Sequence, residues 1–95
     1  MQKDSMATTV IFRRFKDGGI IALFPYEIET KQGHVSSYMH IGQHSAASLD
    51  VIQCTALAEP SKYADLQKEL EGIGYVLEIK KRVNWKRWNK ARMAM

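Results

Sequence analysis

Apolar and polar positions along the chain predict several short strands around one well-defined helix. Residues 9–15 are mostly β-branched or aromatic, residues 20–24 are uninterruptedly apolar, and Asp17-Gly18 lies between them. Such residues favour strands, and Asp-Gly suits the two-residue type I′ turn of a hairpin. We therefore predict a β-hairpin whose second strand, apolar at consecutive positions, is buried on both faces.

The next segments are less regular. Residues 26–34 are polar and contain Gly33, which is typical of a connection, whereas residues 35–41 alternate and predict a third strand ending at Gly42. Two interpretations are open for residues 44–58: a helix beginning at Ser48, or a short strand over 51–55. The pattern favours the strand.

A helix is predicted over residues 60–72. Pro60 suits the first helical position, where its missing N–H is no loss, and Gly72 and Gly74 are suited to the helix end. Apolar residues recur at helical spacing, which predicts that one face covers the sheet; they are Tyr63, Leu66, Leu70 and Ile73.

The chain then alternates over residues 75–83, which predicts an amphipathic last strand. Asn84 is a good N-cap for a final helix over 84–95. The predicted fold class is α+β: a small, mostly antiparallel sheet, made of the hairpin and two or three further strands, is covered by one helix and followed by a basic C-terminal helix. We expect residues 1–95 to form a single domain with a loose N-terminal end over 1–7.

Composition narrows the class of protein. The 95 residues are 45% hydrophobic and 25% charged, as in an ordinary globular domain, and no apolar run approaches the roughly 20 residues of a membrane span. The single cysteine, Cys54, cannot form an internal disulfide and lies in a largely apolar stretch, which predicts a buried, inert thiol. We expect a cytoplasmic protein without membrane association.

Charge is unevenly distributed along the chain. Residues 80–95 hold seven Lys or Arg and no acid, whereas residues 1–79 hold seven against ten acids, which gives +7 and −3. Such segregation favours an anionic partner. The candidate nucleic-acid-binding residues are the cations of this basic segment and its two indoles: Lys80, Lys81, Arg82, Lys86, Arg87, Lys90, Arg92, Trp85 and Trp88.

Two interpretations of the tryptophans stay open. Cations release counterions from nucleic acid and indoles stack on unpaired bases, so the segment fits RNA or single-stranded DNA. A helix of about twelve residues is marginal alone, however, so Trp85 and Trp88 could instead anchor it on the sheet while the cations face water. The two interpretations are compatible.

A second candidate binding surface surrounds the end of the third strand, where glycine-marked loops often carry binding residues; it comprises Tyr38, His40, Gln43 and His44. These histidines with Cys54 or His34 lack the ordered spacing of a zinc motif, and no nucleophile or phosphate-loop signature is present. We predict no metal, no cofactor and no catalytic residue, hence a protein that is not an enzyme.

Three runs of the sequence carry a resemblance to other proteins: FRRFKDGGIIALFP, SYMHIGQH and YADLQKELEGIGY. Together they resemble a group of small bacterial proteins of phages and other mobile elements for which no activity is established. The resemblance covers residues 8–82 and implies fold and context, but no site residue. The sequence thus predicts a non-enzymatic module that binds RNA or single-stranded DNA without sequence preference. The alternative is a protein-interaction module: a phage-type adaptor, an inhibitor of a host protein, or a homodimer.

Overall fold

A computed structural model describes residues 7–30, 32–39 and 43–94, and within these ranges six strands form one sheet with two α-helices packed against it. The strands are β1 (Ala7–Arg14), β2 (Ile20–Ile28), β3 (Val35–Met39), β4 (Gln43–Ala47), β5 (Ala56–Leu57) and β6 (Val76–Ile79). The helices are α1 (Pro60–Ile73) and α2 (Trp85–Met93), and a 3₁₀ segment spans Leu49–Cys54. The fold is α+β, as predicted. Neither described helix is long and apolar enough to cross a membrane.

The sheet has the order β4-β3-β2-β1-β5, with antiparallel neighbours, and β6 pairs in parallel with the first half of β1. β5 and β6 therefore share one edge of β1. The Lys80 amide donates to the Val10 carbonyl at 2.9 Å, and the Ala58 amide donates to the Phe12 carbonyl at 3.0 Å. The C-terminal ends of β5 and β6 thus lie next to each other along β1, beside Phe12 and Val10. From there the chain continues into α1 after β5 and towards α2 after β6.

Both faces of the sheet are buried, as the apolar run of β2 predicted. Successive β1 side chains point to opposite faces. One face packs against α1 and forms a core cluster with Val10, Phe12, Ala22, Phe24, Tyr38, Leu66 and Leu70. The other is covered by the 3₁₀ segment and by the chain around α2, in a cluster with Ile11, Ile21, Leu23, Val35, Leu49 and Val83.

The helix predicted over 60–72 is confirmed. Pro60 occupies the first turn of α1, and Gly74, with φ of 124°, caps its end by donating its amide to the carbonyls of Leu70 and Glu71. Leu66 and Leu70 are buried against the sheet. Ile73, which the helical spacing placed on the same face, is instead 54% exposed, because the helix ends there beyond the sheet.

The hairpin differs from the prediction in its turn and length. The Gly18 amide donates to the Phe15 carbonyl, the Phe15 amide donates to the Gly19 carbonyl, and Gly18 has φ of 95°. The connection is thus a three-residue loop with glycine in the left-handed region, not a two-residue type I′ turn. β2 also continues through Pro25 to Ile28, where the predicted connection had begun; the pairing with β3 shifts register beyond Phe24, which accommodates a residue without an N–H.

The strand predicted over 51–55 is wrong. Ser48 caps the 3₁₀ segment by accepting a hydrogen bond from the Asp50 amide at 3.1 Å, and strands β4 and β5 lie on either side of it. Arg13 fixes the segment from β1: its guanidinium donates to the Ile52 carbonyl at 2.8 Å and to the Thr55 carbonyl at 2.6 Å. The 3₁₀ conformation of residues 49–54 thus depends on Arg13, which lies about 40 residues earlier in the chain.

Three further expectations need correction. The last strand ends at Ile79 instead of residue 83, since β5 occupies the next part of the β1 edge and the chain crosses to bury Val83 on the opposite face. Cys54 is exposed at the end of the 3₁₀ segment, not buried. Ala7 already belongs to β1, and residues 1–6 of the predicted loose end lie outside the described residues.

Candidate nucleic-acid interface

Two contacts hold the start of α2 against the sheet. Asn84 caps the helix, its side-chain oxygen accepting from the Arg87 amide at 3.1 Å, and its own amide donates to the Tyr26 hydroxyl of β2 at 2.8 Å. The Arg87 guanidinium lies 4.2 Å from the centre of the Tyr26 ring, in cation–π geometry. A nine-residue helix that would be marginal alone is therefore fixed at its start by the Tyr26 side chain of β2.

Trp88 is the anchor of α2. It is half-buried and packs on the core cluster that contains Leu23, Val35 and Val83. Gly33, in the turn between β2 and β3, lies under the indole: a Cβ on Gly33 would come 2.6 Å from Cζ2 of Trp88. The Trp88 Nε1 is buried without a hydrogen-bond partner among the described residues. Trp88 is thus positioned as a packing residue, not as a base-stacking one.

Trp85 has the opposite environment. It is 54% exposed, and its ring meets that of Trp88 edge-on, with centroids 5.5 Å apart and an interplanar angle of 82°. The contact with Trp88 orients the indole while half of its surface stays open to solvent. Of the two tryptophans, Trp85 is the one available to a ligand.

The seven cations of the basic segment fall into two groups. Arg87 and Arg92 contact aromatic rings, and Arg92 also donates to the Asn89 side chain at 2.7 Å. Arg87 is nevertheless exposed, as are the five other cations: Lys80, Lys81, Arg82, Lys86 and Lys90. Lys80 lies 3.9 Å from Glu78, at a distance and exposure that make the pair weak. Among the described residues, no ion pair neutralises the remaining four.

A cleft of about 440 Å³ opens beside Trp85, at the junction of β1, β5 and the chain that follows β6. Its lining includes the exposed Lys81, Arg82 and Trp85 and the partly buried Arg13, and no acid lines it. Its apolar walls are Ile11, Ile52, Leu57 and Val83. This concavity combines positive charge, one exposed indole and an apolar interior.

Arg13 was missed by the sequence reasoning. Besides its bonds to carbonyls, its Nε donates to the Thr55 hydroxyl at 3.0 Å, and burial lowers the pKa of its guanidinium from the ordinary arginine value. A signal existed in the alternation of the sequence: Arg13 shares a face of β1 with the buried Ile11, and Phe15, two residues further on, packs against the same cluster. An arginine there needs fixed partners.

The second predicted binding surface, around the end of β3, is only partly formed by exposed side chains. Tyr38 is 1% exposed and its hydroxyl donates to Glu69 of α1, so it is a core residue rather than a contact residue. His44 is exposed and packs edge-on against Tyr38 with centroids 4.5 Å apart. Gln43 begins β4, and His40 lies outside the described residues.

Tyr75, which the sequence did not single out, completes this cluster. Its hydroxyl lies 3.1 Å from Nε2 of His44, and its ring stacks on Phe24 at 5.2 Å. Burial, and to a lesser extent the charge of Glu27, raises the pKa of the Tyr75 phenol above its usual value. The contacts of Tyr75 tie β4 and β2 to the short connection between α1 and β6.

No metal-binding arrangement occurs in the described part of the chain: nowhere do three His, Cys, Asp or Glu side chains converge. His34 instead pairs its Nδ1 with the Thr30 hydroxyl at 2.9 Å. Cys54 opens onto a different concavity, beside Arg14 and Lys16.

Comparison with known proteins does not extend these observations. The chain matches no protein-family model, no curated protein and no solved structure.

Proposed function

We propose that the protein is a binding module for single-stranded nucleic acid, RNA or DNA, and that the surface around α2 is its interface. The observation that carries this proposal is the exposed Trp85 indole at the rim of a cleft shared with Lys81 and Arg82. Single-strand-binding surfaces combine cations along the backbone path with aromatic rings on which bases stack. The exposed lysines of α2, Lys86 and Lys90, extend the positive surface beyond the cleft.

Phosphate contacts supply the affinity in this proposal. Lys86 and Lys90 lie four residues apart, and therefore on one side of α2. Neither belongs to the packing contacts that hold α2, which depend on Trp88 and Asn84. Recognition is largely independent of sequence, because phosphates carry no base identity.

Reversing the two lysines should weaken binding without unfolding the domain. For Lys86→Glu with Lys90→Glu, we expect affinity for a single-stranded oligonucleotide to fall roughly tenfold or more at low salt. The slope of log K against log salt should become shallower by about 0.7 for each lost phosphate contact. Fluorescence anisotropy at several salt concentrations measures both quantities.

A matched control is Lys62→Glu with Lys68→Glu, which makes the same change of net charge on exposed positions of α1. This variant should bind almost as the wild type does. Equal loss in both variants would show a nonspecific effect of net charge, and an affinity of the wild type that does not vary with salt would contradict phosphate contacts.

A second candidate function is self-association through β6. Among the described strands β6 pairs with β1 alone, and its residues Val76 and Ile79 are 57% and 37% exposed. Ile73, at the end of α1 three residues before β6, is 54% exposed. An open edge with apolar side chains favours strand pairing. Antiparallel pairing of two β6 strands over Val76–Ile79 would place each Val76 opposite the Ile79 of the second copy.

Light scattering combined with size exclusion tests this candidate. We expect a concentration-dependent dimer that Val76→Lys converts to monomer, because a charge on the edge opposes pairing. Met93→Lys is the control, since Met93 is 70% exposed but lies on α2. A protein that is monomeric at millimolar concentration would exclude the β6 dimer.

A further inference from the structure

We infer that the cleft beside Trp85 accepts one unpaired base of a bound strand. The inference rests on the proposed function and adds to it a defined pocket for the base. The base would enter between the Trp85 indole and the apolar walls formed by Leu57 and Ile52, with the flanking phosphates at Lys81 and Arg82.

The size and lining of the cleft support a base as occupant. Its volume of about 440 Å³ falls within the range of roughly 300–1,000 Å³ for small-ligand sites, which are mostly apolar with a few polar groups. A site that bound phosphate alone would need cations but no apolar interior. The uncharged walls here are Ile11, Ile52, Leu57 and Val83, which suit a planar ring rather than an ion.

The cleft is held in shape before any ligand arrives. On one side Arg13 fixes the 3₁₀ segment through the Ile52 and Thr55 carbonyls. On the other, Trp88 orients Trp85 and buried Val83 holds the chain between Arg82 and α2. A site on fixed elements loses less conformational entropy on binding.

The occupant must be a base that is not in a duplex. A paired base is stacked between its neighbours, and its insertion would cost unpairing and unstacking. An acidic peptide would satisfy Lys81 and Arg82 but would leave the apolar walls and the indole without a planar partner. Single-stranded nucleic acid supplies the charge and the ring together.

The decisive probe is an abasic strand, which keeps the phosphates and lacks the bases. We expect the wild type to bind a 12-nucleotide thymidine strand roughly tenfold more tightly than an abasic strand of equal length. A factor of about ten is the gain in affinity expected from the stacking of one base on an aromatic ring. Trp85→Ala should remove most of this preference and leave affinity for the abasic strand unchanged. Met93→Ala, which shortens an exposed apolar side chain two turns further along α2, should keep it.

The outcomes separate this inference from the proposed function. Equal binding of thymidine and abasic strands by the wild type, with the salt dependence intact, would overturn the base pocket and leave the phosphate interface standing. Salt-independent or undetectable binding of both strands would overturn the proposed function itself. An acidic peptide, 12 residues of polyglutamate, that binds as tightly as the thymidine strand and competes with it would replace the base by a carboxylate partner and overturn the inference. Trp85→Phe should retain part of the preference, since it retains a ring.

Discussion

Trp88→Ala should lower the free energy of unfolding by about 2–4 kcal/mol, whereas Trp85→Ala should change it by less than about 0.5 kcal/mol. Fully buried Phe or Trp residues cost about 3–5 kcal/mol on truncation to alanine. Trp88 is half-buried but packs on the core cluster, so its cost should fall slightly lower. Trp85 is 54% exposed, and surface substitutions seldom exceed about 0.5 kcal/mol. Urea unfolding followed by circular dichroism measures both.

Single-tryptophan variants provide an independent check on this assignment. With Trp85→Phe, the remaining Trp88 should emit at shorter wavelength and resist acrylamide, because its ring is packed against the sheet. With Trp88→Phe, the remaining Trp85 should emit at longer wavelength and be quenched readily. If both indoles prove equally shielded from acrylamide in the free protein, Trp85 is not available for stacking and the base pocket is lost with it.

The elements that the sequence predicted well are those determined by local patterns. The apolar run of β2, the alternation of β3 and the helical spacing of Leu66 and Leu70 each report burial through neighbouring positions. The segment 49–54 is different. Its apolar residues favour a strand, but Arg13, fixed to Ile52 and Thr55, holds the segment in the 3₁₀ form. A local pattern contains no information about such a partner.

The candidate site was predictable only in part for the same reason. Its charge is visible in the sequence because seven cations fall within residues 80–92 and no acid lies among them. Its cleft is not, since Arg13 and Leu57 reach Trp85 through the pairing of β1 with β5. The different environments of Trp85 and Trp88 also depend on a distant residue. The two indoles are three residues apart and therefore neighbours on the surface of α2. Only Trp88 packs into the space that Gly33 provides.

Gly33→Ala should therefore be the more damaging of two otherwise similar glycine substitutions. Gly33 and Gly18 both lie in hairpin connections of the sheet, with φ of 98° and 95°. Alanine in the left-handed region costs about 1–2 kcal/mol at either position. At Gly18 a Cβ would meet nothing within 4 Å, whereas at Gly33 it would lie 2.6 Å from Trp88 Cζ2 and 3.3 Å from Cη2. Overpacking adds about 1–3 kcal/mol, so we expect Gly33→Ala to cost about 3 kcal/mol and Gly18→Ala about 1 kcal/mol in urea unfolding.

A double-mutant cycle assigns the excess to the indole. In the Trp88→Ala background the Cβ of residue 33 no longer meets the ring, so Gly33→Ala should cost about as much as Gly18→Ala does. The coupling between positions 33 and 88 should then be about 2 kcal/mol, within the range for residues in contact. Gly18→Ala, remote from the contact, should be additive with Trp88→Ala within about 0.5 kcal/mol. Equal costs for the two glycine variants in the wild-type background would contradict the packing of Trp88 on Gly33, and with it the placement of α2 that leaves Trp85 at the rim of the cleft.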